Sequence, residues 1–137
     1  MRLKNVVRVV VALALLSAFG CSSNNKGKIE GTKWSSKAGT VKGTSIPAGM
    51  LKLEFTTDGK MTYTIAGTPN TGTYSLGMGD TVNWNFDRDL GDTKRKRHAQ
   101  KCVIKGNIMT VSDSDGTSLD FEKVVAGGGN NPNDKAQ

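Results

Sequence analysis

The sequence predicts an all-β domain, an antiparallel up-and-down meander of about eight strands closing into a small barrel. Three observations carry this reading. Apolar residues alternate with period two along most of the chain after Lys28, glycine-containing turns interrupt the alternation at hairpin spacing, and no amphipathic helical stretch follows the N-terminal apolar run. With 137 residues, 36% hydrophobic, 17 Gly and 3 Pro, there is room for one folded domain and none for a second.

The first strand is short and centred on Trp34, within Thr32 to Ser35. The second and third are Leu51-Lys52-Leu53-Glu54-Phe55 and Met61-Thr62-Tyr63-Thr64-Ile65. Paired residues of an antiparallel ladder share a face, so the connecting turn must bring the two apolar sets into partnership. A two-residue turn at Asp58-Gly59 would pair Phe55 with Thr62. The three-residue loop Thr57-Asp58-Gly59 instead pairs Phe55 with Met61, Leu53 with Tyr63 and Leu51 with Ile65, with Gly59 in the left-handed position. Tyr74 and Leu76 mark the fourth strand and Val82, Trp84 and Phe86 the fifth, with Leu76 opposite Val82 and Tyr74 opposite Trp84.

A sixth strand covers His98 to Lys105. Gly106-Asn107 as a two-residue turn pairs Ile104 with Met109 and Cys102 with Val111, which turns Cys102 toward the apolar face. Ser114-Asp115-Gly116 repeats the three-residue loop, pairing Val111 with Leu119 and Met109 with Phe121. A run of hairpins with one apolar face must roll up, since a flat sheet would leave that face in water.

Taken in order, Gly31-Thr32-Lys33-Trp34, Leu53 to Lys60 and Gly72-Thr73-Tyr74-Ser75-Leu76 resemble small bacterial lipocalin-like proteins, and also paralogous families of short exported proteins of planctomycete type. The resemblance implies a lipocalin-like barrel over residues 29–125, a basic residue covering Trp34, for which Lys123 is placed, and a capacity to hold a small apolar ligand.

Ahead of the domain, Arg2, Lys4 and Arg8 precede an unbroken apolar or small stretch from Val9 to Gly20, the pattern of a secretory signal and too short for a bilayer span. Leu16-Ser17-Ala18-Phe19-Gly20-Cys21 resembles a lipobox, so residues 1–20 are expected to be a lipoprotein signal peptide and Cys21 the lipidated residue. The alternative is ordinary cleavage after Ala18 or Gly20, leaving Cys21 a thiol. Residues 21–28 read as a flexible tether spanning about 15 Å, and residues 126–137 as a disordered tail. The expected address is the cell envelope, lipid-anchored and periplasm-facing; by resemblance, Ser22 after the cysteine implies the outer membrane.

Composition excludes some partners. The 19 Lys and Arg against 12 Asp and Glu give +7, or +4 (16 against 12) once the three leader cations are removed. That balance, with 6% aromatic residues, argues against nucleic acid. No nucleophile with a neighbouring base can be read, so no enzyme and no cofactor are expected. His98 is the one histidine, is expected at a solvated or edge position, and forms no metal-ligand spacing with Cys102, which reads as a buried small hydrophobe. Asp87, Asp89 and Asp92 beside Arg88 lack the Gly and distal Glu of an EF-type loop. Lys94-Arg95-Lys96-Arg97 is the densest charge run, either a solvated hairpin tip or a contact for an anionic surface.

The inward aromatic set is expected to fill much of the interior and leave a shallow apolar opening near Ala66, Gly67 and Gly72, with Tyr63, Tyr74, Trp84, Met61 and Met109 as ligand-binding candidates. The sequence thus points to a lipid-anchored envelope protein holding a small apolar ligand. The alternative is an envelope protein that acts through its surface, as a structural or interaction protein or an inhibitor, without such a ligand.

Overall fold

The computed structural model describes residues 22–88 and 97–126. Cys21, Lys94, Arg95, Lys96, Asp89, Asp92 and residues 127–137 lie outside them. Among the described residues ten strands form in chain order: β1 (Thr32–Ser36), β2 (Gly39–Val41), β3 (Thr44–Ile46), β4 (Leu51–Phe55), β5 (Lys60–Ile65), β6 (Thr68–Leu76), β7 (Thr81–Phe86), β8 (Arg97–Lys105), β9 (Ile108–Ser112) and β10 (Ser118–Lys123). Eight of them close an antiparallel barrel in the order β1-β10-β9-β8-β7-β6-β5-β4, the up-and-down closure the alternation predicts and the small lipocalin-like barrel the resemblance implies.

The strands pair in the register that turn length and parity require. Phe55 lies opposite Met61, Leu53 opposite Tyr63 and Leu51 opposite Ile65. Tyr74 meets Trp84 and Leu76 meets Val82. Cys102 meets Val111 and Ile104 meets Met109. Val111 meets Leu119, and Met109 meets Phe121. Gly59 and Gly116 hold φ of 84° and 85°, the left-handed geometry their three-residue loops require. Strand β1 then seals the sheet, with Trp34 opposite Leu53 on one side and Lys123 on the other. Lys123 lays its ammonium 5.9 Å from the Trp34 ring centroid, while Trp34 Nε1–H donates to Thr32 Oγ1.

The strand ends define two ends of the barrel. One carries the turns at 56–59, 77–80 and 106–107, the start of β1 and the end of β10. The other carries the β2–β3 hairpin, the 66–67 turn, the start of β8 and the turn at 113–117. The first end is plugged. Residues 22–28, expected as a flexible tether, instead fold against it: Ser23 bridges Gly79, Asn24 N–H donates to Gly79 O, and Asn25 is 1% exposed. Asn25 Nδ2 donates to Cys102 O at 3.0 Å and to Asp80 O at 3.1 Å, and Ile29, fully buried, drops into the core behind it. The polar composition that suggests a tether here serves to satisfy backbone carbonyls at the strand ends.

Strands β2 and β3 form a hairpin that the sequence reading left unassigned. Its two-residue turn places Lys42 and Gly43 both at positive φ, 49° and 78°. A Cβ on Gly39 would come within 2.6 Å of Leu119 Cδ1, so the hairpin sits directly on β10. Gly72 also proves structural. Its missing Cβ would lie 2.3 Å from Asn85 O, so it lets β6 approach β7 and does not widen an opening.

Cys102 is a buried free thiol, pushed up to about 12 by burial and then by Asp80. Native protein at pH 8 is expected to leave it unlabelled by a thiol reagent until the barrel unfolds. Replacing Asn25 with Ala removes the side-chain donor from the buried Cys102 carbonyl, while Asp80 O keeps the Cys102 N–H, and is expected to lower stability by about 1–3 kcal/mol in urea unfolding. Lys26→Ala, on the exposed side of the same segment, is expected to stay within about 0.5 kcal/mol.

Candidate functional site: a cavity at the open end

Packing inside the barrel is graded from one end to the other. At the plugged end Phe55 meets Tyr74 edge-on with ring centroids 5.1 Å apart, and the Tyr74 hydroxyl donates to Thr56 O at 2.6 Å. Phe55 continues to Trp84 at 6.4 Å, and Trp84 to Tyr63 at 6.1 Å and Phe86 at 6.2 Å. This column of rings fills the lower interior with Met61, Met109 and Cys102, all at most 2% exposed.

Above the column the interior opens. A cavity of about 310 Å³ is walled by Tyr63, Trp84, Phe86 and Phe121, with Leu51, Ile65, Val111 and Leu119 higher up and Val41 of the hairpin at its mouth. That volume stands at the small end of ligand pockets, which run from about 300 to 1,000 Å³. Of the five residues expected to bind ligand, Tyr63 and Trp84 line the cavity. Tyr74 does not, because it belongs to the packed end of the aromatic column, and Met61 and Met109 do not, because that column separates them from it.

Polar groups gather on one side of the wall: His98, Gln100, Asp113, Thr117 and Ser118. Gln100 Nε2 donates to Asp113 Oδ1 at 3.2 Å. The Tyr63 hydroxyl is held above its usual pKa by burial first and by the Asp113 charge second, so it stays a neutral hydrogen-bonding group. Arg88 directs its guanidinium to Asn70 Oδ1, at 2.6 and 3.0 Å, and so spends its charge on β6.

His98 is not the solvated edge residue the sequence suggested. It pairs with Trp84 across β7 and β8, packs at 5.9 Å on Phe86, and has Nε2 buried without a hydrogen-bond partner. Trp84 Nε1 is likewise buried and unpartnered. In a dry interior each such unpaired atom would cost about 1–3 kcal/mol. Among the described residues no group of three or more His, Cys, Asp or Glu side chains is placed to hold a metal ion.

A wider groove of about 550 Å³ runs over the outer faces of β6, β7 and β8, lined by Thr73, Ser75, Asn83, Asn85 and Arg97. The side chains that point outward along it are mostly short and polar. Arg97, the described member of the basic run, starts β8 at the open end of the barrel.

The hairpin over the cavity is latched at its tip by Lys42 Nζ and Asp115 Oδ2, 2.9 Å apart. The Lys42 hydrogen bond, followed by that from the Thr117 backbone, holds the Asp115 carboxyl at about 2, against its ordinary 3.8. Because the folded value is the lower one, the latch is complete above 3.8 and is lost as pH falls through about 2. Heteronuclear relaxation should therefore show residues 40–46 gaining motion as pH drops from 4 toward 2. Lys42→Ala should produce the same motion at pH 6, with the unfolding midpoint of the whole domain little changed.

No protein-family model and no curated protein matches the chain. A solved NMR structure of a protein from Burkholderia xenovorans is similar, with a TM-score of 0.50 and 16% identity over 74% of this chain and 87% of that one. At that identity the likeness concerns the barrel fold alone.

Proposed function

We propose that this protein is a lipid-anchored component of the cell envelope whose barrel holds one small, largely apolar ligand. The observation that carries the ligand is the cavity of about 310 Å³ bounded by Tyr63, Trp84 and Phe86, left open where the rest of the barrel is filled. Apolar walls supply the transfer free energy, and the polar flank from His98 to Asp113 orients a ligand bearing a hydrogen-bonding group. The Asp113 carboxylate disfavours an anionic head group at that flank, so an uncharged molecule suits the cavity better than a fatty acid anion. The anchor rests on the leader and on the lipobox resemblance ending at Cys21. The polar outer groove with Asn83, Asn85 and Arg97 supports the second reading, a protein acting on an anionic or polar envelope partner through its surface.

Titration with the neutral apolar dye N-phenyl-naphthylamine tests the ligand directly. Dye emission should rise and tryptophan emission fall, the latter from Trp84, since Trp34 is 1% exposed and sealed off from the cavity. Val41→Trp, which fills the mouth, should weaken binding at least tenfold. A folded protein that shows no dye response at high micromolar concentration would transfer the proposal to the surface reading. Intact mass of the membrane fraction should show acyl chains on Cys21, and Cys21→Ser should remove them.

A further inference from the structure

The same fold that opens one end presents an unusual surface at the other. Among the described residues, the exposed large hydrophobic side chains are Met78 at 66%, Val125 at 66% and Val124 at 49%. All three lie at the plugged end. Met78 tips the turn between β6 and β7, and Val124 and Val125 follow β10, tied to the start of β1 by the bond from Val124 N–H to Lys33 O at 2.8 Å. Scattered exposed hydrophobics need no explanation, but three at one end with none at the other do.

Two further observations say what covers them. The N-terminal chain enters here: Asn24 N–H on Gly79 O at 2.7 Å and the bridge from Ser23 to Gly79 fix the start of the described chain beside Met78. Two residues of extended chain reach at most about 7 Å, so a group carried by Cys21 is held near this end and cannot swing to the other. Exposed Lys26, Lys28 and Lys105 surround the same end, a charge complement for anionic head groups.

We infer that the plugged end is a membrane-docking face, with Met78, Val124 and Val125 inserted among the head groups of an anionic phospholipid surface and the cavity mouth pointing away from it. This rests on the lipid anchor of the proposed function but adds an orientation the anchor alone does not fix. It also assigns the basic run a different partner. Arg97 faces away from the anchoring bilayer, so an anionic surface met there is not the membrane that holds Cys21.

The test uses the full chain, exported and purified in detergent, then reconstituted into vesicles of phosphatidylethanolamine and phosphatidylglycerol that carry brominated acyl chains. A fluorophore is attached at Met78→Cys, at Val125→Cys or, at the opposite end, at Thr44→Cys; buried Cys102 stays unlabelled, acylation blocks Cys21, and the unacylated samples carry Cys21→Ser so that no second thiol takes the label. Quenching at 78 and 125 should exceed that at 44 at least threefold. Equal quenching at the three positions, or the reverse order, overturns the docking face. Intact mass of each sample separates this from the anchor. Acylated protein without the difference removes the docking face and leaves the anchor standing, whereas unacylated protein that keeps the difference retains the docking face and removes the anchor.

Discussion

Closure of the barrel through β1 is the constraint on which the rest depends. Trp34 on this five-residue strand lies opposite Leu53 on one side and Lys123 on the other, and without both ladders the eight strands would be an open sheet with two edges. Once the sheet is closed, side chains alternate between a shared interior and water, and the identity of every inward residue follows from register. The rings of Phe55, Tyr74 and Trp84 then meet from different strands because closure brings their faces together, not because they are near in sequence.

The two ends solve the problem of an eight-strand interior in opposite ways. An interior of this width is filled by side chains or holds one small guest. At the plugged end Asn25 and Ile29 complete the filling, with Asn25 supplying hydrogen bonds to the carbonyls of Asp80 and Cys102. At the open end the large rings stop at Tyr63, Trp84 and Phe86, and a separate hairpin held by an exposed ion pair lies at the mouth. The latch is weak because both partners are solvated. The polarity extends to the outside, where the apolar tips and the incoming chain share the plugged end.

Much of this was legible in the sequence, because turn length and parity are local quantities. Gly59, Gly106 and Gly116 announce their turns, and each turn length admits one pairing of the apolar sets. The same parity, carried from Cys102 through Gln100, places His98 on the inward face; hydrophobicity alone gave it to solvent. Three features were not local. Residues 22–28 are polar throughout, and nothing in the run Ser22 to Lys28 tells that Asn25 will be buried against carbonyls 55 and 77 residues away. The β2–β3 hairpin shows only Val41 and Ile46 as apolar markers around a Lys-Gly turn. The boundary of the cavity depends on which rings stack, so Met61, Met109 and Tyr74, inward by parity, fall on the packed side of a division that periodicity does not draw.

The plugged end and the cavity both require the closure of β1, and through-space NMR contacts read that closure without altering the molecule. Backbone contacts linking Ser35 both to Lys52 and to Glu122 are the predicted result, as these are its partners on β4 and β10. Contacts from Ser35 to Lys52 alone, with the β10 amides exchanging freely with solvent, would show an open sheet. They would contradict the barrel, its plugged end and its cavity together.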